Sequence, residues 1–84
     1  MKNNTFTKTK LKKAIHAAGF NTDFGDGYLN IFRDDGVNCE FYTCMNEWDY
    51  LTARYTVRGK ERDLDYWFPN DLDLFIADLK EILS

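Results

Sequence analysis

One proline, one histidine, two cysteines and five glycines are all that this 84-residue chain has of the residues that most sharply constrain or ligate a backbone. No apolar run approaches the roughly eighteen residues that a membrane-spanning helix needs. The first twenty residues are rich in Lys and Thr but lack the apolar core of an export signal, so neither export nor membrane insertion is expected. Cys39 and Cys44 lie five positions apart. On one strand that spacing puts them on opposite faces, where they cannot bridge to each other. Two unpaired cysteines fit a reducing, cytoplasmic setting. They do not make a metal site, because His16 is the one other soft ligand. Gly25 and Gly27 sit in Phe24-Gly25-Asp26-Gly27, between a helix and a strand, which is the wrong context for a phosphate loop. Asn21, Asp23 and Asp26 lack the spacing and the terminal Glu of a calcium loop. Paired carboxylates need a pocket to perturb them, and a domain this small has little room for one. The expectation is a protein without catalytic residues, metal or cofactor.

What is present is charge of opposite sign at opposite ends. Residues 1–20 hold Lys2, Lys8, Lys10, Lys12 and Lys13 and no acid. Residues 61–84 hold Glu61, Asp63, Asp65, Asp71, Asp73, Asp78 and Glu81 against Arg62 and Lys80. The net charge is only −3, so the signal is the division rather than the total. A field of this kind steers or imitates partners and says little about fold. Aromatics make up 17% of the chain. Each buries ~150–250 Å², which fills a small core and leaves some rings for the surface.

The residue pattern predicts one domain over residues 1–84, with residues 1–6 frayed. A helix is expected over 8–18. Thr7 is its N-cap, Phe6 and Leu11 form a hydrophobic staple, and Leu11, Ala14, Ile15 and Ala18 form its apolar stripe. Gly19 and Phe20 suit a Schellman ending. Residues 21–27 read as loop. Strands follow at 28–33 and 37–45 around an Asp34-Asp35-Gly36 turn. Residues 46–49 form a second turn, and a strand at 50–58 alternates Leu51, Ala53, Tyr55 and Val57 inward. Gly59-Lys60 is a turn, and a fourth strand runs 61–68 with Leu64, Tyr66 and Phe68 inward. Pro69 ends the sheet, and Asn70 caps a last helix whose stripe is Leu72, Phe75, Ile76, Leu79 and Leu83. The expected class is α+β, ordered α-β-β-β-β-α: two layers, an antiparallel meander sheet with both helices on one face.

The open face of that sheet would carry Phe32, Tyr42 and Trp67, with Glu40, Arg54, Arg58, Asp63 and Asp65 among them. Aromatic sheet faces can stack bases, but in a positive surround. This face is close to neutral, and large aromatics beside arginine suit a protein interface, self or foreign. The order also resembles that of double-stranded-RNA-binding domains, which place lysines at the start of their last helix. Here Asp71 and Asp73 stand there and would repel phosphate. Lys8, Lys10, Lys12 and Lys13 oppose the dipole of the first helix. They read either as phosphate contacts or as a surface beside the acidic last helix.

In kind, on Glu61, Asp63, Asp65, Asp71, Asp73 and Asp78 with Tyr42 and Trp67, the chain resembles the small acidic α+β inhibitors that phages and mobile elements direct against host defences, of the anti-CRISPR and anti-restriction type. The resemblance covers composition and architecture and rests on no motif. It implies a non-enzymatic inhibitor that docks on a larger protein or ribonucleoprotein complex and blocks a nucleic-acid groove. Tyr42, Arg54, Glu61, Asp63, Asp65, Trp67, Asp71 and Asp73 would make the contact. The basic first helix departs from an all-acidic mimic. The alternatives are an RNA- or DNA-binding domain using Lys8, Lys10, Lys12 and Lys13, and a self-associating module such as a homodimer.

Overall fold

The computed structural model describes residues 6–45 and 47–84. The elements run α1 (Lys8–Ala17), β1 (Asn21–Phe24), β2 (Tyr28–Phe32), β3 (Asn38–Tyr42), β4 (Tyr50–Val57), β5 (Lys60–Trp67) and α2 (Leu72–Ile82). All five strands form one antiparallel meander in chain order. The α+β class and its meander are as the residue pattern predicts, with one more strand.

The helix α1 begins and ends as its sequence directs. The Thr7 hydroxyl accepts from the Lys10 amide at 3.2 Å, which satisfies an otherwise unpaired N–H of the first turn. At the other end Gly19 turns to a φ of 99°. The Phe20 amide then donates to Ile15 and the Gly19 amide to His16, at 3.3 and 3.0 Å, the paired bonds of a Schellman ending.

The added strand, β1, lies in the segment expected to be loop. Asn21, Thr22, Asp23 and Phe24 pair with Phe32, Ile31, Asn30 and Leu29. Asp26-Gly27 makes the turn, and the Gly25 amide donates to the Tyr28 carbonyl at 2.9 Å. An Asp-Gly pair is a strong hairpin signal, but four residues of mixed polarity gave no alternation to match it. The β3 strand is shorter than expected at both ends, and Val37 and Met45, which close the expected span, are exposed. The turn after β4 is Arg58-Gly59 and not Gly59-Lys60. Val57 pairs with Lys60, and the two central residues have φ of 53° and 78°. Two positive φ values define the primed turn whose twist matches that of the strands it joins. The turn expected at 46–49 includes Asn46, which lies outside the described residues.

The inward parity of the sheet is as read. Leu29, Ile31, Cys39, Phe41, Leu51, Val57, Leu64 and Tyr66 are buried, and Leu11, Ile15, Phe75, Leu79 and Leu83 of the helices join them in one cluster. Phe6 is buried too, its ring 5.0 Å from that of Phe68, so the packed part of the chain begins earlier than the frayed segment expected over 1–6. The helix α1 lies against β1 and α2 against β4 and β5. The lysine helix therefore leans on one edge of the sheet rather than on the acidic helix.

Asp78 corrects the reading of the last helix. Expected among the displayed acids, it is 3% exposed. The Tyr66 hydroxyl donates to its Oδ2 at 2.7 Å, and Arg58 Nη1 lies 3.1 Å from its Oδ1. The positive φ of Arg58 lifts that side chain off the open face, where alternation would have put it, and onto the helix. The Arg58 amide also donates to Glu81. A buried carboxylate must be paired, and the β4–β5 turn pairs this one. Asp71 rather than Asn70 is the N-cap of α2, and its side chain makes no cap bond to the helix. It accepts instead from the Trp67 amide at 2.9 Å.

Candidate docking surface on the open sheet face

Register decides which side chains share the open face. Trp67 stands opposite Tyr50, Asp65 opposite Thr52, Asp63 opposite Arg54 and Glu61 opposite Thr56. Thr52 in turn stands opposite Tyr42. Directly opposed residues on one face lie within ~5.5 Å, so these side chains form a continuous surface across β3, β4 and β5. Six of the eight expected contact residues are on it: Tyr42, Arg54, Glu61, Asp63, Asp65 and Trp67. Asp71 meets its border through the Trp67 amide. Asp73 stands in the first turn of α2, in the other layer.

The surface is ordered by its own bonds. The Tyr50 and Trp67 rings lie 4.3 Å apart at 38°. The Tyr50 hydroxyl donates to Asp65 at 2.5 Å, and the carboxylate it meets raises its pKa above the ordinary phenol value. Tyr42 donates to Glu40 at 3.0 Å and is raised for the same reason. Arg54 Nε donates to Asp63 at 2.8 Å. Both partners of that pair are well exposed, so its contribution to stability is small. Its effect is to fix where the guanidinium and the carboxylate stand. Trp67 and Tyr42 remain 58% and 49% exposed, large apolar areas held in place without cover.

The four lysines lie elsewhere. Lys8 and Lys12 line an open groove of about 390 Å³ between α1 and β1, with Thr9, Thr22, Asp23 and Phe24. The Lys8 ammonium stands 5.5 Å from the Phe24 ring centroid. A second groove of about 540 Å³ continues past Lys12 to His16, Asn21, Arg33 and Asp34. Thr22 holds the His16 ring at 3.0 Å. Acids stand in both grooves, so neither is a purely cationic track. From β1 to β5 there are four strand spacings of ~4.8 Å, about 19 Å in all. The basic and acidic parts of the chain thus occupy opposite edges of the sheet.

Tyr50, Thr52 and Tyr55 are not among the eight contact residues that the sequence leads one to expect. Tyr50 and Thr52 share the parity of Arg54, and the strand alternation contained that signal. Tyr55 plays a role no alternation shows. Among the described residues the strands β3 and β4 pair only at Tyr42 and Thr52, and the Tyr55 hydroxyl bridges the backbone of Glu40, 2.5 Å from its amide and 3.0 Å from its carbonyl.

Among the described residues, no helix is long and apolar enough to cross a membrane, and no three His, Cys, Asp or Glu side chains gather as metal ligands. Comparison of the chain with protein families, curated proteins and solved structures finds no match in any of the three.

Proposed function

We propose that this chain is a non-catalytic binding protein that docks through the open face of β3–β5 on a cationic surface of a larger nucleic-acid-handling protein or ribonucleoprotein, and inhibits it by occupying its phosphate-binding groove. One observation carries the reading: the exposed Trp67 and Tyr42 rings stand on one fixed surface with the carboxylates of Glu40, Glu61, Asp63 and Asp65. Aromatic anchors surrounded by charge are the residues that dominate protein interfaces. Carboxylates two positions apart on one strand lie ~6.8 Å apart, a repeat of negative charge along a line that a groove built for a phosphate backbone can accept.

The test is capture of partners from a nuclease-treated bacterial lysate by the tagged chain, followed by elution with oligonucleotide. The expected partner handles DNA or RNA, is displaced by oligonucleotide, and binds less as salt rises, because contacts to a phosphate-binding site are ionic. Trp67→Ala and Asp65→Asn should each weaken capture. Binding to nucleic acid by the chain alone, abolished by Lys8→Glu with Lys12→Glu, would overturn the proposal in favour of the lysine helix. A chain that forms dimers through Trp67 on gel filtration would overturn it in favour of self-association.

A further inference from the structure

The strand β5 is the longer of the two edges of the sheet, eight residues against four for β1. Its hydrogen-bonding parity follows from its ends. The Phe68 amide donates to Asp49 at 2.8 Å, and Tyr50 pairs with Trp67. In an antiparallel ladder bonded and non-bonded pairs alternate. The backbones of Tyr66, Leu64 and Arg62 therefore face β4, while those of Trp67, Asp65, Asp63 and Glu61 face away from it. Trp67 is closed on that outer side: its amide donates to Asp71 Oδ2 at 2.9 Å, and its carbonyl accepts from the Asp71 amide at 2.8 Å. Among the described residues, nothing closes the next three. The outward N–H and C=O groups of Asp65, Asp63 and Glu61 form an open edge, bounded at one end by Asp71 and at the other by the Arg58-Gly59 turn.

An open row of backbone donors and acceptors is a template for another strand. Which strand it takes is set by the side chains. The residues that expose their backbone are the same three that carry carboxylates onto the open face. A second copy of this chain, pairing β5 with β5 antiparallel about Asp63, would set Asp63 against Asp63 and Glu61 against Asp65. Like charges directly opposed are destabilising, so the edge rejects its own kind. A strand with Lys or Arg at alternate positions would set each cation against a carboxylate while its backbone completes the ladder.

We infer that the free edge of β5 at Glu61–Asp65 accepts an extended segment with alternating basic residues as a sixth strand of the sheet. This rests on the cationic partner proposed above and gives that partner a form: an extended basic segment in place of a rigid groove alone.

The test uses the intact chain and two synthetic peptides. The first alternates Lys with Thr over nine residues. The second has the same sequence with N-methyl groups on the lysines, whose amides would face β5. Amide exchange of the chain is followed residue by residue by NMR. The first peptide should slow exchange at Glu61, Asp63 and Asp65 and leave Leu64 and Tyr66, already bonded to β4, unchanged. The methylated peptide keeps every charge but cannot donate, and should bind at least about tenfold more weakly. Equal binding of the two peptides would overturn strand pairing while leaving docking by charge on the open face intact. Binding that shifts Tyr42 and Trp67 but leaves the exchange of Asp63 unchanged would overturn it as well. Failure of both peptides to bind at low salt would overturn the edge site without touching the lysate test of the wider proposal.

Discussion

Asp78 and Cys39 show what a residue's neighbours do to its chemistry. Asp78 falls on the helical period of Phe75, Leu79 and Ile82, so its place in the buried stripe was readable; its charge argued for the surface, and the charge misled. What the sequence could not show is the partner set, because Arg58 reaches it only through a positive φ. Replacing Asp78 by Leu leaves the Tyr66 hydroxyl buried without an acceptor, which should cost ~1–3 kcal/mol. Asp78→Asn keeps an acceptor and should cost less, and adding Tyr66→Phe to Asp78→Leu should recover part of the loss. Urea midpoints of the four proteins check this order. Cys39 is 2% exposed, and burial pushes its thiol up to about 12 from an ordinary 9.0. Between those values the folded state holds a proton that the unfolded chain has released. Stability should therefore fall as pH rises through that window, by up to ~1.4 kcal/mol per pH unit from this group. Tyr66, raised by burial and by its bond to Asp78, adds the same sign at higher pH. The alkaline slope should be shallower in Cys39→Val, measured by urea unfolding from pH 8 to 11. A thiol reagent at pH 8 should modify the exposed Cys44 and reach Cys39 only on unfolding.

At the scale of elements, the ends of α1 were legible because each is made by a specific residue in a specific place. Thr7, Gly19 and Phe20 have one job each, and the backbone bonds are those the residues imply. The strand β1 was not legible, since four residues with Asp at their centre have no period. Pairing with β2 decides their state, and pairing is not local. The first turn of α1 is also out of step with its own helix: it holds lysines and no acid. Cations there oppose the dipole. Thr7 and Lys10 stand at the two positions of a capping box, the second of which wants Glu or Gln. Lys10→Glu should therefore raise stability by ~0.5–1 kcal/mol, read as a higher thermal midpoint. Under the proposed function it should leave partner capture intact, because the docking face is at the other edge of the sheet. Loss of capture in a protein of raised midpoint would place α1 in the interface.

The whole molecule joins two hairpin systems along the weakest seam of its sheet. On one side α1 rests on β1, which pairs on through β2 to β3, and on the other α2 rests on β4 and β5. Between them the ladder holds at Tyr42 and Thr52, and the Tyr55 hydroxyl occupies the backbone of Glu40 where the strands part. Underneath, the core does not respect that seam. Phe41 of β3 lies 5.7 Å from Tyr55, 6.1 Å from Tyr66 and 5.3 Å from Phe75, so one cluster of rings spans both sides. A shared core makes unfolding cooperative even where the ladder is thin, because neither half can open without exposing Phe41. Each half carries one tryptophan as a reporter: Trp48 packs edge-on against Phe24 of β1, at 5.0 Å, and Trp67 stacks on Tyr50. Chains reduced to one reporter by Trp48→Phe or Trp67→Phe should each show a fluorescence transition that coincides with that protein's own circular dichroism transition. Tyr55→Phe in either background leaves the Glu40 backbone unpaired and should lower stability by ~1–3 kcal/mol, moving both signals together. If the Trp67 signal instead shifted away from the Trp48 signal, the seam would be a boundary between two folding units. The ring cluster around Phe41 would then be too weak to couple the lysine edge of the molecule to its acidic one.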